Sequence, residues 1–407
     1  MFDFWKRMDK RSQRTMLICF YAFCCNGTLS MLMGSMMPDL QATYGITDTM
    51  KGLFISAHSV GNLIAGFISG LVPLWLGRKR SIMVLAALAF IGYGMTLVIG
   101  WPAWLFVAFL LVGMGRGSVT NFDNRMSNLL THGSPVSTNL LHASFAVGAI
   151  SMPMLFLVLR NAFSWRAGVI LVLVLGVTEF LLFNTMRLDD DHPSRSDRKN
   201  STMVFLKNPS FLIFCGMMFC YLCSEYTLNG WLVTYIQSKQ TLVEGLEKAG
   251  MTMTAFSQTM ATLLWTVMLI GRLICAWLSG RFSQKKLMLI SSVGMCGFFV
   301  CLMLSRSIGM VVFSVATLGL CMAGICPMIY SDAAIFTNTY PMATSALLAI
   351  GSIGAIVMPT IVGALAEHFG FFAGMGAILV TIVLLLVFAL LNVVIKPHLP
   401  QENVNNF

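Results

Sequence analysis

The sequence predicts an all-α integral membrane protein in which twelve transmembrane helices form two pseudo-symmetric six-helix bundles. Three observations predict this fold: the composition, a series of long apolar segments and an internal repeat. Of the 407 residues, 57% are hydrophobic and only 10% are charged, and the mean hydropathy is +0.80. A soluble domain has about 25% charged residues. So few charges cannot cover a surface that faces water, so most of this surface must face lipid.

Apolar segments of about 20 residues, the length that crosses a bilayer as an α-helix, recur along the whole chain. The predicted spans are 15–40, 52–74, 81–99, 104–130, 136–159, 167–186, 211–237, 252–280, 287–304, 310–336, 343–367 and 371–395. The predicted organisation is an N-terminal tail (1–14), a first six-helix half (15–187), a linker (188–208), a second half (209–396) and a C-terminal tail (397–407).

The basic residues predict the orientation of these spans. Of the 26 lysines and arginines, 17 lie in the two tails, the linker and the loops on the same side, and six lie in the opposite loops. Cytoplasmic loops carry the excess of lysine and arginine, so we expect both termini to be cytoplasmic in a plasma membrane of the bacterial inner-membrane type. Although the net charge is +10, the basic residues form no single face, which excludes nucleic-acid binding.

Neither a metal site nor a cofactor is expected. The 11 cysteines lie in apolar stretches, which argues against a disulfide framework. Cys220 and Cys223 form a C-x-x-C pattern on a predicted helix, without a second pair of ligands. The linker contains Asp189, Asp190, Asp191 and His192, for which a solvated linker is a simpler interpretation than a metal site.

An internal repeat indicates that the two halves arose by duplication. Residues 61–70 read GNLIAGFISG and residues 271–280 read GRLICAWLSG, so five of ten positions match at an offset of 210. Residues 148–153 read GAISMP and residues 354–359 read GAIVMP, so five of six match at an offset of 206. Two different segments that repeat in the same order at nearly one spacing predict a parallel repeat of a six-helix unit.

Residues 70–79 read GLVPLWLGRK, which resembles the G-x-L-x-D-R-x-G-R-K loop of the major facilitator superfamily. Gly77, Arg78 and Lys79 match the end of this pattern, whereas Leu74 and Trp75 replace its acid and arginine. The resemblance extends over nearly the whole chain. It implies a secondary transporter, not an enzyme, whose halves rock about a central cavity that opens to one side at a time.

A narrower resemblance links the chain to the sugar-transporting branch related to fucose and glucose permeases. It rests on residues 140–153 (LLHASFAVGAISMP), on 225–235 (EYTLNGWLVTY) and on Asn124 and Asn128. That branch often has an acid four residues before the asparagine, where this chain has Thr120, with Asp123 one turn later. The G-x-x-x-G-P-x-x-G-G pattern of drug antiporters is absent.

Ionisable side chains within the spans are candidate functional groups, because burying an unpaired charge in a bilayer is costly. Glu225 and Asn229 are spaced i, i+4 on one helix face, close in sequence to Trp231, a set that suits the hydroxyls and apolar face of a sugar. A structural Glu225–Arg272 pair is the alternative. Asp123 either carries a proton or neutralises Arg116, which lies seven residues earlier on the same face.

These considerations give three sets of candidate residues. The predicted substrate-binding residues are Asn26, Asn124, His142, Glu225, Asn229, Trp231 and Gln258, and the predicted ion-coupling residues are Glu225 and Asp123. The predicted structural or gating residues are Arg116, Arg272, Asp332, Gly77, Arg78 and Lys79.

The predicted function is symport of a small polar solute, a sugar or sugar-like compound, with H⁺ or Na⁺ by a monomer in the lipid bilayer. The alternative is an organic-anion or drug transporter or exporter of the same fold, in which Arg116 and Arg272 bind the anion. Whether those arginines face the cavity unpaired distinguishes the two. A membrane-embedded enzyme or receptor is a third class, but the sequence shows no nucleotide loop, zinc motif or nucleophile elbow.

Overall fold

A computed structural model of the chain describes residues 5, 8–98, 100–131, 135–186, 203–279, 282–337 and 343–395. Within them the regular structure is helical. The main helices are α1 (Lys10–Tyr44), α2 (Asp48–Leu71), α3 (Pro73–Met95), α4 (Pro102–Thr131), α5 (Pro135–Ala162), α6 (Trp165–Thr185), α7 (Pro209–Gln237), α8 (Met253–Ser279), α9 (Gln284–Leu304), α10 (Ile308–Ala323), α11 (Ala343–Phe369) and α12 (Phe371–Val394). Residues 188–202 of the predicted linker and the predicted tail 397–407 lie outside the described residues.

The predicted all-α membrane fold is confirmed. Eleven helices of the described chain are long and apolar enough to cross a bilayer, with α10 counted together with its continuation to Asp332. The remaining predicted span, 81–99, corresponds to α3. That helix begins earlier, at Pro73, and therefore includes the basic residues at 78–80, which shorten its apolar stretch. The expected loop between the second and third spans is thus reduced to Val72.

Two helices depart from regular geometry at glycines. Gly77 interrupts α3 with φ 74° and ψ 163°, a conformation that glycine adopts without the steric cost of a side chain. The predicted span 310–336 is broken at Gly324, after which short helices run over Ile325–Asp332 and Ala334–Thr337. Pro327 follows closely, and its ring cannot supply a backbone N–H to continue the hydrogen bonding of α10.

The helix ends follow local sequence signals. The side chain of Asp9 accepts a hydrogen bond from the Ser12 N–H at the start of α1, and Asn208 caps α7 in the same way through the Ser210 N–H. Such caps satisfy backbone donors that have no partner within the helix. Helix α1 ends at Gly45 in the left-handed conformation, at φ 65°.

The repeated glycines form equivalent helix contacts in the N-terminal half (α1–α6) and the C-terminal half (α7–α12). A Cβ atom added at Gly148 of α5 would lie 2.0 Å from the carbonyl oxygen of Cys24 in α1. At the corresponding Gly354 of α11, it would lie 2.5 Å from the carbonyl oxygen of Phe219 in α7. Helices without side chains at the contact can approach each other closely, so the repeat encodes the same packing twice.

The two halves meet at the end of the bundle where α1 ends and α2 begins, which we call the far end. The opposite end, where α1 begins and α12 ends, is the terminal end. At the far end, the hydroxyls of Ser56 in α2 and Thr360 in α11 lie 2.7 Å apart. The amide of Gln258 in α8 donates a hydrogen bond of 3.0 Å to the carbonyl oxygen of Ser35 in α1. These contacts close the far end.

Candidate functional site

A cavity of about 240 Å³ lies between the two halves near the middle of the bundle. Residues of α1, α2, α4, α5, α7 and α8 line it. Its polar and charged lining residues include His58, Asn62, Arg116, Thr120, His142, Glu225, Tyr226, Asn229 and Arg272, and its aromatic residues include Phe23, Phe145 and Trp265. A concave site that combines aromatic walls with a few convergent polar groups is typical of small-molecule binding.

A second, larger cavity of about 700 Å³ continues from the first towards the terminal end. The two share Asn62, Thr120 and Tyr226. Beyond these residues the larger cavity follows α2, α3, α4 and α11, and it reaches the exposed residues Asn121 and Arg125. The central cavity is therefore closed towards the far end and continuous with a wide space towards the terminal end.

The Arg116 side chain is held in place by two neighbours. Its Nε donates a hydrogen bond of 2.7 Å to Oδ1 of Asn26, and its Nη1 lies 2.7 Å from Nε2 of His58. Because a guanidinium group only donates, Nε2 of His58 must accept, and the His58 ring is therefore neutral. Asn26 also donates to the carbonyl oxygen of Arg116 (3.1 Å) and to the hydroxyl of Thr120 (2.8 Å). These contacts fix the orientation of the Arg116 side chain at the cavity wall.

Close contact between α2 and α4 brings His58 and Arg116 together. A Cβ atom added at Gly61 of α2 would lie 2.1 Å from the carbonyl oxygen of Leu110. One added at Gly113 of α4 would lie 1.9 Å from the carbonyl oxygen of His58. Both positions require glycine, since any side chain there would push the two helices apart.

Arg272 and Glu225 face the cavity from the C-terminal half. Arg272 lies on α8, and its Nε is buried with no hydrogen-bond partner among the described residues. Glu225 lies on α7 within electrostatic reach of Arg272 and Tyr221. Among the described residues, no carboxylate oxygen lies within 4.0 Å of a nitrogen of Arg116 or Arg272. The two arginines therefore face the cavity from opposite halves, and neither has an ion-pair partner in the part of the chain that the structure describes.

The sequence matches the family model of the Major Facilitator Superfamily over residues 18–266 and 248–406. This chain belongs to the major facilitator superfamily. It is therefore a transporter of the superfamily that carries a small solute across a membrane, and not an enzyme.

Two curated transporters are similar to most of the chain. NiaP of Bacillus subtilis (strain 168), named for niacin and nicotinamide transport, is 23% identical over 338 residues, which are 78% of this chain and 79% of NiaP. The sialic acid transporter NanX of Escherichia coli (strain K12) is 20% identical over 397 residues, 93% of each chain.

Solved superfamily structures have the same fold. The nucleoside transporter NupG superposes with a TM-score of 0.71 at 14% identity and covers 95% of this chain and 99% of its own. FucP, the fucose:proton symporter of E. coli, superposes in its outward conformation with a TM-score of 0.61 at 16% identity. FucP covers 93% of this chain and 98% of its own. At these identities the structures show the shared superfamily fold.

Three of the predicted substrate-binding residues of this superfamily member line the cavity: His142, Glu225 and Asn229. The ring of His142 packs edge-on against Phe23, with 5.3 Å between the ring centroids. Arg116 and Arg272, which the sequence placed in the structural or gating set, line the same cavity. The structure thus brings together five of the predicted residues from four different helices.

The other four predicted substrate-binding residues are not among those that line the cavity. Asn26 uses its amide to hold Arg116 and Thr120, and Asn124 donates to the carbonyl oxygen of Thr120 at 2.8 Å. Gln258 is buried at the far-end contact between the halves. Trp231 is fully buried, and the amine of Lys51 lies over its ring. It does not line the cavity with Asn229 because residues two apart on a helix face different directions.

Asp123, a predicted coupling residue, lies away from the cavity. Its side chain is fully buried, and within the described part of the chain no nitrogen or oxygen donor reaches its carboxylate. Its electrostatic neighbours are Glu179 of α6 and Cys19 of α1. The local pair with Arg116 considered from the sequence does not form, because the Arg116 side chain turns to His58 and Asn26. Seven residues also separate the two Cα atoms by about 10 Å along the helix.

The remaining predicted gating residues lie near the terminal end. The amide of Asn392 in α12 donates a hydrogen bond of 3.0 Å to the carboxylate of Asp332. Arg78 lines the larger cavity, and its buried Nε has no hydrogen-bond partner in the described residues. Gly77 forms the kink of α3, and its carbonyl oxygen accepts a hydrogen bond from the Ser81 hydroxyl. Lys79 is partly exposed beside this kink.

The cavity residues His58, Asn62 and Trp265 were not predicted from the sequence. His58 and Asn62 are spaced i, i+4, together with Ile55 in the same apolar span, and all three line the cavity. Polar residues that recur at this spacing within a transmembrane span indicate a face turned away from lipid. That pattern in α2 was therefore an available signal.

Proposed function

We propose that this transporter carries a small organic acid, as its anion, through the central cavity by alternating access. The observation that carries the proposal is the charge of the cavity wall. Arg116 and Arg272 reach it from opposite halves, whereas Glu225 is the only acidic residue among the described residues that line it. A cavity with more cations than carboxylates is completed electrostatically by an anionic ligand, and the planar guanidinium group matches a carboxylate.

The curated relatives support an acid as the substrate class. Niacin and sialic acid, which appear in the names of NiaP and NanX, are both carboxylic acids. An acidic sugar would also use the amides of Asn62 and Asn229 and the aromatic surfaces of Tyr226 and Trp265. The same amides and rings favour a neutral sugar as the second candidate, in line with the resemblance to the fucose and glucose permeases.

Glu225 supplies a means of coupling transport to protons. In its ionised form it competes with the substrate for Arg272, since it lies within electrostatic reach of that guanidinium. Protonation of Glu225 removes this competition and raises the excess positive charge of the cavity from one to two. We therefore expect the proton to bind before the acid and both to cross together. Asp123 lies outside the cavity, so the proposal places coupling on Glu225 alone.

The two ends of the bundle support alternating access. The far end is closed by contacts between the halves, and the larger cavity extends from the site to the terminal end. With the termini in the cytoplasm, as the basic residues predict, this is an inward-facing state of a plasma-membrane transporter. Separation of the halves at the far end would open the same cavity to the outside.

The direct test is counterflow in proteoliposomes with acids and their neutral counterparts. The labelled pairs are nicotinate with nicotinamide and glucuronate with glucose, with N-acetylneuraminate as a third acid. We expect at least one acid to exchange and its neutral counterpart not to, and Arg116→Met to abolish that exchange. Exchange of glucose or nicotinamide alone, or full activity of Arg116→Met, would show that the substrate is not bound as an anion.

The same assay tests coupling with Glu225→Gln, at several pH values and with or without sodium. We expect this variant to retain exchange of the acid and to lose accumulation driven by a proton gradient, because the glutamine side chain is permanently neutral. Accumulation that depends on sodium and survives Glu225→Gln would place coupling on another ion and another residue.

A further inference from the structure

Lys51, near the start of α2, is a lysine with no exposed surface. Its amine lies 4.1 Å from the centre of the Trp231 ring and contacts the hydroxyl of Thr234, and both partners belong to α7 of the opposite half. Among the described residues, no carboxylate lies within 4.0 Å of the amine. Asp48 is within electrostatic reach, but its carboxylate accepts a hydrogen bond from Gln41. A buried lysine without a carboxylate partner is rare in proteins and indicates a function.

Lys239, another lysine near the far end, provides a contrast. Its amine also lies over an aromatic ring, 4.8 Å from the centre of Tyr235. It donates hydrogen bonds to the carbonyl oxygens of Met303 and Ser305, at 3.1 and 3.0 Å. All these partners belong to the C-terminal half, so movement of one half against the other leaves them intact. The contacts of Lys51, in contrast, cross between the halves and must break when the far end opens.

Lys51 lies on the same face of α2 as the cavity-lining residues, but nearer the far end, within the contact between the two halves. Lys51, Ile55, His58 and Asn62 recur at helical spacing, and the last three line the cavity. Ile55 separates the central cavity from Lys51, because its side chain packs directly against Gly230 of α7. Lys51 lies about 6 Å beyond Ile55 along the helix. When α2 and α7 separate, this face would therefore present Lys51 first and then His58, which contacts Arg116 of α4.

We propose that Lys51 is the entry site for the substrate's carboxylate when the far end is open. In the closed state, the ring of Trp231 and the hydroxyl of Thr234 replace the anion as partners of its amine. Opening removes these partners, and an organic anion arriving from the far side takes their place before it passes to Arg116. The inference rests on the proposed function, since it assigns a second cationic contact to the same anionic substrate.

The test compares Lys51→Met with Lys51→Arg, Thr234→Val and Lys239→Met. Uptake of labelled nicotinate, glucuronate and N-acetylneuraminate is measured in membrane vesicles of both orientations, sorted by protease access to a C-terminal tag. The far-side KM is the KM for substrate supplied from the far end of the bundle. For an acid that the wild type transports, we expect Lys51→Met to raise this KM about tenfold or more, as for loss of a hydrogen bond between charged groups. Lys51→Arg should keep most of the affinity, and Lys239→Met should leave the far-side KM unchanged.

The direction of the change separates an entry site from a contact that only holds the far end closed. Loss of a closing contact increases the population of the far-open state, which lowers the far-side KM. Thr234→Val, which removes only the closing hydroxyl, should therefore lower that KM or leave it unchanged. A far-side KM of Lys51→Met that falls, stays constant or merely matches that of Lys239→Met overturns the entry site and leaves the proposed function intact. Failure of the wild type to transport any of the three acids overturns both.

Discussion

Arg116 shows how single residues prepare the cavity for its ligand. Its guanidinium group is fixed by Asn26 on one side and by a neutral His58 on the other. Neither neighbour neutralises its charge, so Arg116 is oriented while its charge remains available to a ligand. A side chain that is ordered before binding loses little conformational entropy when the ligand arrives. Under the proposed function, we therefore expect Asn26 to contribute to affinity although it does not line the central cavity.

Replacement of Asn26 by leucine tests this positioning role. The substitution keeps a similar volume but removes the acceptor for Nε of Arg116 and the donors to Thr120 and the Arg116 carbonyl. A hydrogen bond to a charged group contributes about 1.5–3 kcal/mol, so we expect the KM for a transported acid to rise about tenfold or more. Asn26→Asp, which keeps the acceptor but adds a charge beside Arg116, should weaken anion binding as well. An unchanged KM in both variants would contradict the positioning role.

Three of the cavity residues were predicted from the sequence, and Trp231 was wrongly grouped with them. The sequence identified Glu225, Asn229 and His142 by their polarity within apolar spans, and the structure places all three at the cavity. It grouped Trp231 with Asn229 because they are close in sequence, although residues two apart on a helix face different directions. Whether these residues bind the substrate remains a prediction.

At the scale of helices, close contacts between pairs of helices set the site geometry. Helices α2 and α4 touch through Gly61 and Gly113, and this contact brings His58 to Arg116. The sequence predicted the helices, and its repeated glycine motifs predicted two similar six-helix units. It did not predict that α3 begins at Pro73, because three consecutive basic residues resemble a loop and the kink at Gly77 allows them to lie within a helix.

Two glycines of α2 provide a matched pair of substitutions. A Cβ atom at Gly61 would lie 2.1 Å from the Leu110 carbonyl oxygen, whereas one at Gly66 meets no atom within 4 Å. We expect Gly61→Ala to destabilise the protein by about 1–3 kcal/mol through overpacking and to lower transport. Gly66→Ala should be neutral or stabilising by up to about 1 kcal/mol, because alanine favours the helix. Thermal unfolding in detergent measures both, and equal midpoints would refute the role of the Gly61 contact.

At the scale of the whole molecule, the two halves are held together at the far end and separated at the terminal end. The composition, the apolar segments and the repeat were sufficient to predict the fold, because a bilayer permits few alternatives to helices. They could not predict this conformation. It depends on contacts between distant residues, such as Ser56 with Thr360 and Ser35 with Gln258.

A disulfide across the far end should trap this conformation. The hydroxyls of Ser56 and Thr360 are 2.7 Å apart, so cysteines at both positions are close enough to form a bond. We expect oxidised Ser56→Cys/Thr360→Cys to lose transport, to retain acid binding from the terminal side and to recover on reduction. No disulfide joins the native cysteines in the described residues, so each single variant serves as a control for oxidation elsewhere. Wild-type transport by the oxidised double variant would mean that the far end need not open.

The excess positive charge of the central cavity has a consequence for the energy supply of the cell. Under the proposed mechanism, a carrier that holds a proton on Glu225 but no acid contains two uncompensated guanidinium groups, those of Arg116 and Arg272. Closing both ends around these charges would remove them from water without a counter-ion, which is strongly unfavourable. The protonated carrier therefore changes between its two open states only after the acid has bound, so it does not carry protons across the membrane without the acid. The feature that selects the cargo thus also protects the proton gradient of the membrane.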